Sequence, residues 1–207
     1  MSIKDEAAAR AYVAGVCDDV AMNRLDRFVS MLADENQQQN LVSRPSMEVV
    51  WQRHIADSAQ LLEHVPRETG LWIDLGSGAG LPGLVVAIMR PEWHIMLIES
   101  RKRRIEWLAQ VKEDLSLDQC EIVGRRLELV ETVPASVISA RAFAPLAKTI
   151  SLSKRFSTSE TQWLLPKGRS AAQELGELPV KDRKLFHVEQ SCTDDEAGII
   201  VGRLANR

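Results

Sequence analysis

Residues 71–83 read Leu-Trp-Ile-Asp-Leu-Gly-Ser-Gly-Ala-Gly-Leu-Pro-Gly. A short apolar run ends in an acid, glycines then alternate with small residues, and a proline opens a helical pattern. A junction of this kind brings backbone N–H groups close to a ligand, an approach that a Cβ on the glycines would block. The stretch therefore points to a nucleotide-like cofactor held between a strand and the start of a helix. Pro82 suits such a start, because its missing N–H is not needed there.

Two motifs overlap here. Gly78-x-Gly80-x-x-Gly83 fits the dinucleotide fingerprint, a pattern that also recurs by chance. Asp74-x-Gly76-x-Gly78-x-Gly80 fits the acidic-first loop of class I methyltransferases. The acid separates them. A dinucleotide sets its pyrophosphate at the helix N-terminus, where a carboxylate two residues before the first glycine repels it. S-adenosylmethionine carries no phosphate, and its methionine end has an ammonium that Asp74 can help hold. His94–Glu99 reads as the next strand, ending in an acid. A carboxylate there can accept both hydrogen bonds of an adenosine ribose, which suits either cofactor.

The 207 residues suit one large domain with an accessory segment. An apolar share of 45 % is ample for a core. A net charge of −3 excludes a global polyanion binder, although local charge matters more than the sum. Cys17, Cys120 and Cys192 are scattered without CxxC spacing, which argues against a disulfide framework and against a metal site. Reduced thiols in a cytoplasmic protein are expected. No apolar run approaches the ~20 residues that span a membrane, and no signal-peptide pattern opens the chain.

From about Lys4 to Leu62 the periodicity is helical. Ala9, Tyr12, Val13 and Val16 suit one helix, and Leu25, Phe28, Val29 and Leu32 the apolar face of a second. Residues 36–44 are polar and loop-like, and a further helix follows Pro45-Ser46. Beyond residue 71 strands alternate with helices. The strands are predicted at 71–75, 95–99, 120–123, 136–140 and 162–166, and the helices at 82–89, 103–114, 145–156 and 171–175. This alternation implies a parallel sheet with helices on both faces. Residues 184–190 and 198–203 read as a closing hairpin. The ligand crevice is expected at the C-terminal ends of the first strands.

Several stretches together resemble one family. Arg53-His54-Ile-Ala-Asp57-Ser58 precedes the glycine loop, and Glu99-Ser100 with Lys102-Arg103 follows it. Then come Arg126-Leu127-Glu128, Ser139-Ala-Arg141-Ala142-Phe143-Ala144 and Lys167-Gly168. From about Asn40 to the C-terminus this order is similar to RsmG, the glucose-inhibited division protein B family of 16S ribosomal RNA guanine-N7 methyltransferases. The resemblance implies an α/β fold of the class I S-adenosylmethionine-dependent type. This is a Rossmann-like, mostly parallel seven-stranded sheet (residues 67–207) with an N-terminal helical extension (residues 1–66) packed on it. It implies methylation of guanine 527 in the decoding-region loop. It places the cofactor against Gly76, Gly78, Gly80 and Leu81, against Leu127 and Glu128 near the adenine, and against Arg141, with Glu99 at the ribose. Glu99 stands where many members have Asp. Pro166 stands where members more often have Leu.

Guanine N7 has an exposed lone pair and no proton, so its methylation asks for positioning and electrostatics rather than a general base. Arg141, at the end of the fourth strand, is the expected catalytic-site residue. It can bond guanine O6 and N7 or orient the cofactor, and since a donor on N7 blocks attack, the cofactor is the favoured contact. Phe143 either stacks on a flipped base or belongs to the core. Arg101, Lys102 and Arg103 crowd a helix start, where cations are disfavoured. That misplacement points to RNA phosphate, with Lys167 and His54 as further RNA-side candidates. His54 and Asp57, three apart on a helix, share a face. The expected partner is 16S ribosomal RNA within a small-subunit particle, bound by a monomer. Two other readings compete: a non-catalytic ribosome-assembly module of the same fold, and a dinucleotide-dependent oxidoreductase, which Asp74 disfavours.

Overall fold

In a computed structural model describing residues 2–204, seven strands form one sheet. They are β1 (Trp72–Leu75), β2 (Ile95–Ile98), β3 (Cys120–Val123), β4 (Ala135–Ser139), β5 (Ser157–Pro166), β6 (Phe186–Gln190) and β7 (Gly198–Gly202). Their order is β3-β2-β1-β4-β5-β7-β6. The first five run parallel, and β7 lies antiparallel between β5 and β6. β1 and β2 are buried at every residue, which is why they read as unbroken apolar runs covered on both faces. The register sets Asp74 beside Leu97 on one side and Ser139 on the other. Those are the C-terminal ends of three central strands.

The N-terminal helices are α1 (Glu6–Ala14), α2 (Asp19–Asn36) and α3 (Arg44–Glu48). Asp5 and Asp18 cap the first two by accepting hydrogen bonds from the N–H groups of Ala8 and Ala21. A π-helical turn (Trp51–Ala56) follows, continuing into α4 (Asp57–Ala59) and a 3-10 turn (Gln60–His64). The crossover helices are α5 (Gly83–Met89), α6 (Lys102–Asp114), α7 (Leu146–Ser153), α8 (Ala171–Gly176) and α9 (Val180–Arg183). α5 is buried at every residue. It is sandwiched between the sheet and the N-terminal helices α2 and α4, and one apolar cluster joins Leu25 and Phe28 to Leu84, Ile88 and Leu97. Each such side chain contributes about 1.5–3 kcal/mol on burial, so the N-terminal segment and the sheet share a core.

Two boundaries differ from the sequence reading by more than two residues. The helix expected over 145–156 ends at Ser153 and tightens into a 3-10 turn. β5 begins at Ser157 rather than at Gln162. Its first half, Ser-Thr-Ser-Glu-Thr, has no apolar alternation to mark a strand. Its pairing rests instead on a register break opposite Ala135 and on the Thr161 hydroxyl, which donates to the Ala135 carbonyl. Among the described residues, no helix is long and apolar enough to cross a membrane.

Candidate functional site

The glycine loop leaves β1 with three left-handed residues: Gly76 at φ +64°, Gly78 at +54° and Gly80 at +92°. A side chain there is strained by about 1–2 kcal/mol. A Cβ on Gly76 would also lie 2.5 Å from Phe143 Cδ2, and one on Gly80 would lie 2.2 Å from Leu84 Cδ1. Gly76 thus lets Phe143 lie over the loop, and Gly80 lets the loop close onto α5.

Asp74 is completely buried beneath this loop. One carboxylate oxygen accepts from the Ser139 hydroxyl at 2.7 Å, and the other from the Gly83 N–H at 3.3 Å. The Ser139 hydroxyl in turn accepts from the Trp72 indole at 2.8 Å. Burial pushes the Asp74 carboxyl up to about 6, against the pull of these hydrogen bonds. This corrects the reading of Asp74 as a holder of an ammonium. It ties β1 to β4 and to the start of α5, and so shapes the cradle from below.

Glu99 faces the cavity above. Its Oε2 accepts from the Gly78 N–H at 3.0 Å, and its Oε1 from the N–H groups of Ser100 and Arg101 at 2.7 and 2.9 Å. A carboxylate has about four acceptor positions, so three are taken within the protein and one is open to a ligand hydroxyl. The cavity beside it measures about 360 Å³, and its wall includes Gly76, Gly78, Leu81, Glu99, Leu127 and Arg141. Gly80 and Glu128 are not in this wall. Gly80 is turned to α5, and Glu128 is exposed on the far side of a short 3-10 turn.

A second cavity of about 760 Å³ adjoins the first. Val42, Arg141, Ala142 and Phe143 line both, so this group forms the partition. Ala142 takes a left-handed φ of +52°, unusual for a side-chain-bearing residue. Arg141 does not hang free. It donates to Asp57 Oδ2 at 3.2 Å, to the Arg53 carbonyl at 3.4 Å and to His54 Nδ1 at 3.2 Å. His54 and Asp57, expected to share a helix face, converge on the arginine rather than on each other.

The basic run after β2 divides into two pairs. Arg101 is exposed at the rim of the first cavity. Lys102 is exposed and pairs with Glu106 one turn on. Arg103 donates to the Gln38 carbonyl at 3.0 Å, and Arg104 to the Asn40 carbonyl at 2.5 Å. These two arginines clasp the loop between α2 and α3. The Asn36 side chain accepts from the N–H groups of Leu41 and Val42, and the loop so held sets both residues in the first cavity's wall. Sequence reasoning missed Leu41 and Val42 because nothing local in residues 36–44 signals a wall. The arginines at a helix start were the available signal.

Lys167 lines the second cavity, yet its ammonium is engaged. It donates to the Ala144 carbonyl at 2.6 Å and pairs with Glu174 at 2.9 Å. Glu174 also accepts from the Leu146 N–H and the Ser170 hydroxyl, and these contacts hold its carboxyl below the usual range against the cost of burial. Lys167 therefore braces the segment that follows Arg141, and its charge is largely offset.

The profile of the GidB family, described as rRNA small subunit methyltransferase G, matches residues 21–195. The ribosomal RNA small subunit methyltransferase G of Erythrobacter litoralis is 61 % identical over 97 % of this chain and 97 % of its own length. That of Sphingopyxis alaskensis is 54 % identical over 97 % of this chain and 87 % of its own length. A methyltransferase structure from Geobacter sulfurreducens superposes with a TM-score of 0.59 at 15 % identity, covering 94 % of each chain. At that identity the likeness speaks to the fold alone.

Proposed function

The chain belongs to the rRNA small subunit methyltransferase G family, and from that premise we propose that it methylates N7 of guanine 527 in 16S ribosomal RNA with S-adenosylmethionine. The observation that carries this reading is the pair of adjoining cavities divided by Arg141 and Phe143. One suits a cofactor, and the other has room for a base turned out of its stack.

The first cavity fits S-adenosylmethionine. Gly76 and Gly78, both left-handed and both in its wall, leave backbone close to a ligand, Glu99 keeps an acceptor position for the ribose, and Leu127 offers an apolar edge to the adenine. Gly76, Gly78, Glu99 and Leu127 would hold S-adenosylmethionine there, and it would supply a methyl on a sulfonium, with a thioether as the leaving group when the C–S bond is exchanged for an N7–C bond. No proton moves, so positioning and electrostatics carry the rate. His54 is unsuited to be a base, since its Nδ1 faces the Arg141 donors. Burial also pushes the Cys120 and Cys192 thiols up to about 12 and about 11, which leaves little thiolate for a nucleophilic route.

Arg141 serves the cofactor with the N–H groups the protein leaves free, and Phe143 stacks at the partition. Arg101 at the rim meets RNA phosphate. The substrate is the RNA within a small-subunit particle, and the enzyme acts as a cytoplasmic monomer. The test is transfer of labelled methyl to particles lacking the modification, with digestion to nucleosides. Label in N7-methylguanosine is expected. Cofactor binding without transfer to any RNA would favour the assembly-module reading.

A further inference from the structure

The guanidinium of Arg141 is gripped from outside the sheet that carries it. Asp57, the Arg53 carbonyl and His54 all come from the π-helical turn and its continuation in the N-terminal segment. An arginine only donates, so His54 Nδ1 is the acceptor. The ring then carries its proton on Nε2, which donates to the Ser46 hydroxyl at 2.9 Å. The other oxygen of Asp57 accepts from the Gln60 amide at 2.9 Å and the Thr193 hydroxyl at 3.2 Å. The turn is itself fixed at its start, where the Glu6 carboxylate accepts from the N–H groups of Trp51 and Gln52 at 3.0 and 2.7 Å. A π-turn is rare and tends to occur at functional sites.

Of the five guanidinium N–H groups, two on Nη1 and one on Nη2 are taken by this grip. The Nε–H and the second Nη2–H remain. The ion pair is four-fifths buried on both sides, so it is far less screened than a surface pair. We infer that Asp57 and His54 are positioning residues for Arg141, holding its guanidinium at the partition so that the two remaining N–H groups face the cofactor. The N-terminal segment thereby completes the methyl-transfer site. This rests on the reading of Arg141 as a cofactor contact.

The test uses the full chain, with S-adenosylmethionine affinity by calorimetry, methyl transfer to small-subunit particles, and thermal melting. Asp57→Asn keeps an oxygen for Gln60 and Thr193 but turns a donor toward Arg141. A hydrogen bond to a charged group is worth about 1.5–3 kcal/mol, which converts to a loss of about ten- to hundredfold in affinity. The same change in an Arg141→Ala background is expected to add little. His54→Asn places an oxygen near the Nδ1 position, whereas His54→Leu removes the acceptor. Asn is expected to recover affinity that Leu loses, at similar melting temperature, which a purely structural role would not produce. Arg141→Ala with a loss, beside Asp57→Asn and His54→Leu at wild-type affinity and transfer, overturns the positioning role alone. So do fully additive losses in the double variant. Arg141→Ala without effect overturns the cofactor contact itself, and this inference with it.

Discussion

The first cavity has two walls of different origin. One is the glycine loop with Asp74 beneath it, whose three left-handed glycines and Asp74–Gly83 tie lie within ten residues of sequence, although Ser139, Glu99 and Phe143 complete it from farther along the chain. The other is the N-terminal segment, where Asn36 holds Leu41 and Val42 locally, and Arg103 and Arg104, more than sixty residues on, hold their loop by its carbonyls. The difference is one of warrant. A left-handed glycine announces itself by what a side chain would cost. A carbonyl clasped by a distant arginine leaves no mark on its own stretch of chain.

The comparison is broken most forcefully at Gly76. Gly76→Ala sets a Cβ 2.5 Å from Phe143 Cδ2 at a φ of +64°. Calorimetry should find S-adenosylmethionine affinity reduced by more than about tenfold, with stability lower by about 1–2 kcal/mol. Wild-type affinity in this variant would mean that the loop yields, and that the cradle is less exacting than its backbone suggests.

The glycine-loop region and the N-terminal segment also hide ionisable groups with opposite pH signatures. Asp74 has its carboxyl raised by burial from 3.8 to about 6. Its contribution to stability is complete below about 3.8 and is lost as pH rises through about 6. His54 is depressed by burial and by the Arg141 and Arg53 cations from 6.5 to about 3. Its contribution is present above about 6.5 and is lost as pH falls toward 3. Denaturation between pH 4 and 7 should therefore show wild type gaining on Asp74→Asn as the solution is acidified, and losing ground to His54→Leu. Parallel behaviour of the two variants would contradict the assignment.

Arg104→Ala sharpens the comparison from the other side. Releasing the Asn40 carbonyl should raise KM for S-adenosylmethionine about threefold to tenfold, because only part of a charge-assisted bond worth about 1.5–3 kcal/mol is felt by the cofactor through the loop. An unchanged KM would remove Leu41 and Val42 from the working wall. The smallest effect is expected at Ala142. Ala142→Gly relieves a left-handed φ of +52° and should raise stability by up to about 1 kcal/mol, measured by chemical denaturation.

Much of the fold was legible because each strand of the alternating region is a short apolar run with a turn signal beside it. The hairpin's place was not, since nothing in residues 198–202 says that β7 pairs with β5 and leaves β6 outside. Among the residues that line the first cavity, Gly76, Gly78 and Glu99 were legible from local pattern, and Arg141 from the run Ser139–Ala144. Asp74 was recognised as decisive but given the wrong partner. Sequence shows an acid before glycines, whereas only packing shows that Ser139 and Gly83 already occupy it. Lys167 misled for a similar reason: a lysine beside a glycine reads as free charge until Glu174 and the Ala144 carbonyl are seen against it. The spacing of His54 and Asp57 was visible, but their common target lies more than eighty residues away.

The central claim is the identity of the methylated atom, and chemical mapping tests it most directly. N7-methylguanine renders an RNA strand cleavable by reduction and aniline treatment. Small-subunit particles lacking the modification, incubated with the protein and S-adenosylmethionine, should acquire one new cleavage, at guanine 527, and none when Arg141→Ala replaces the wild type. A methyl group incorporated without that cleavage, or a cleavage at another guanine, would contradict the account.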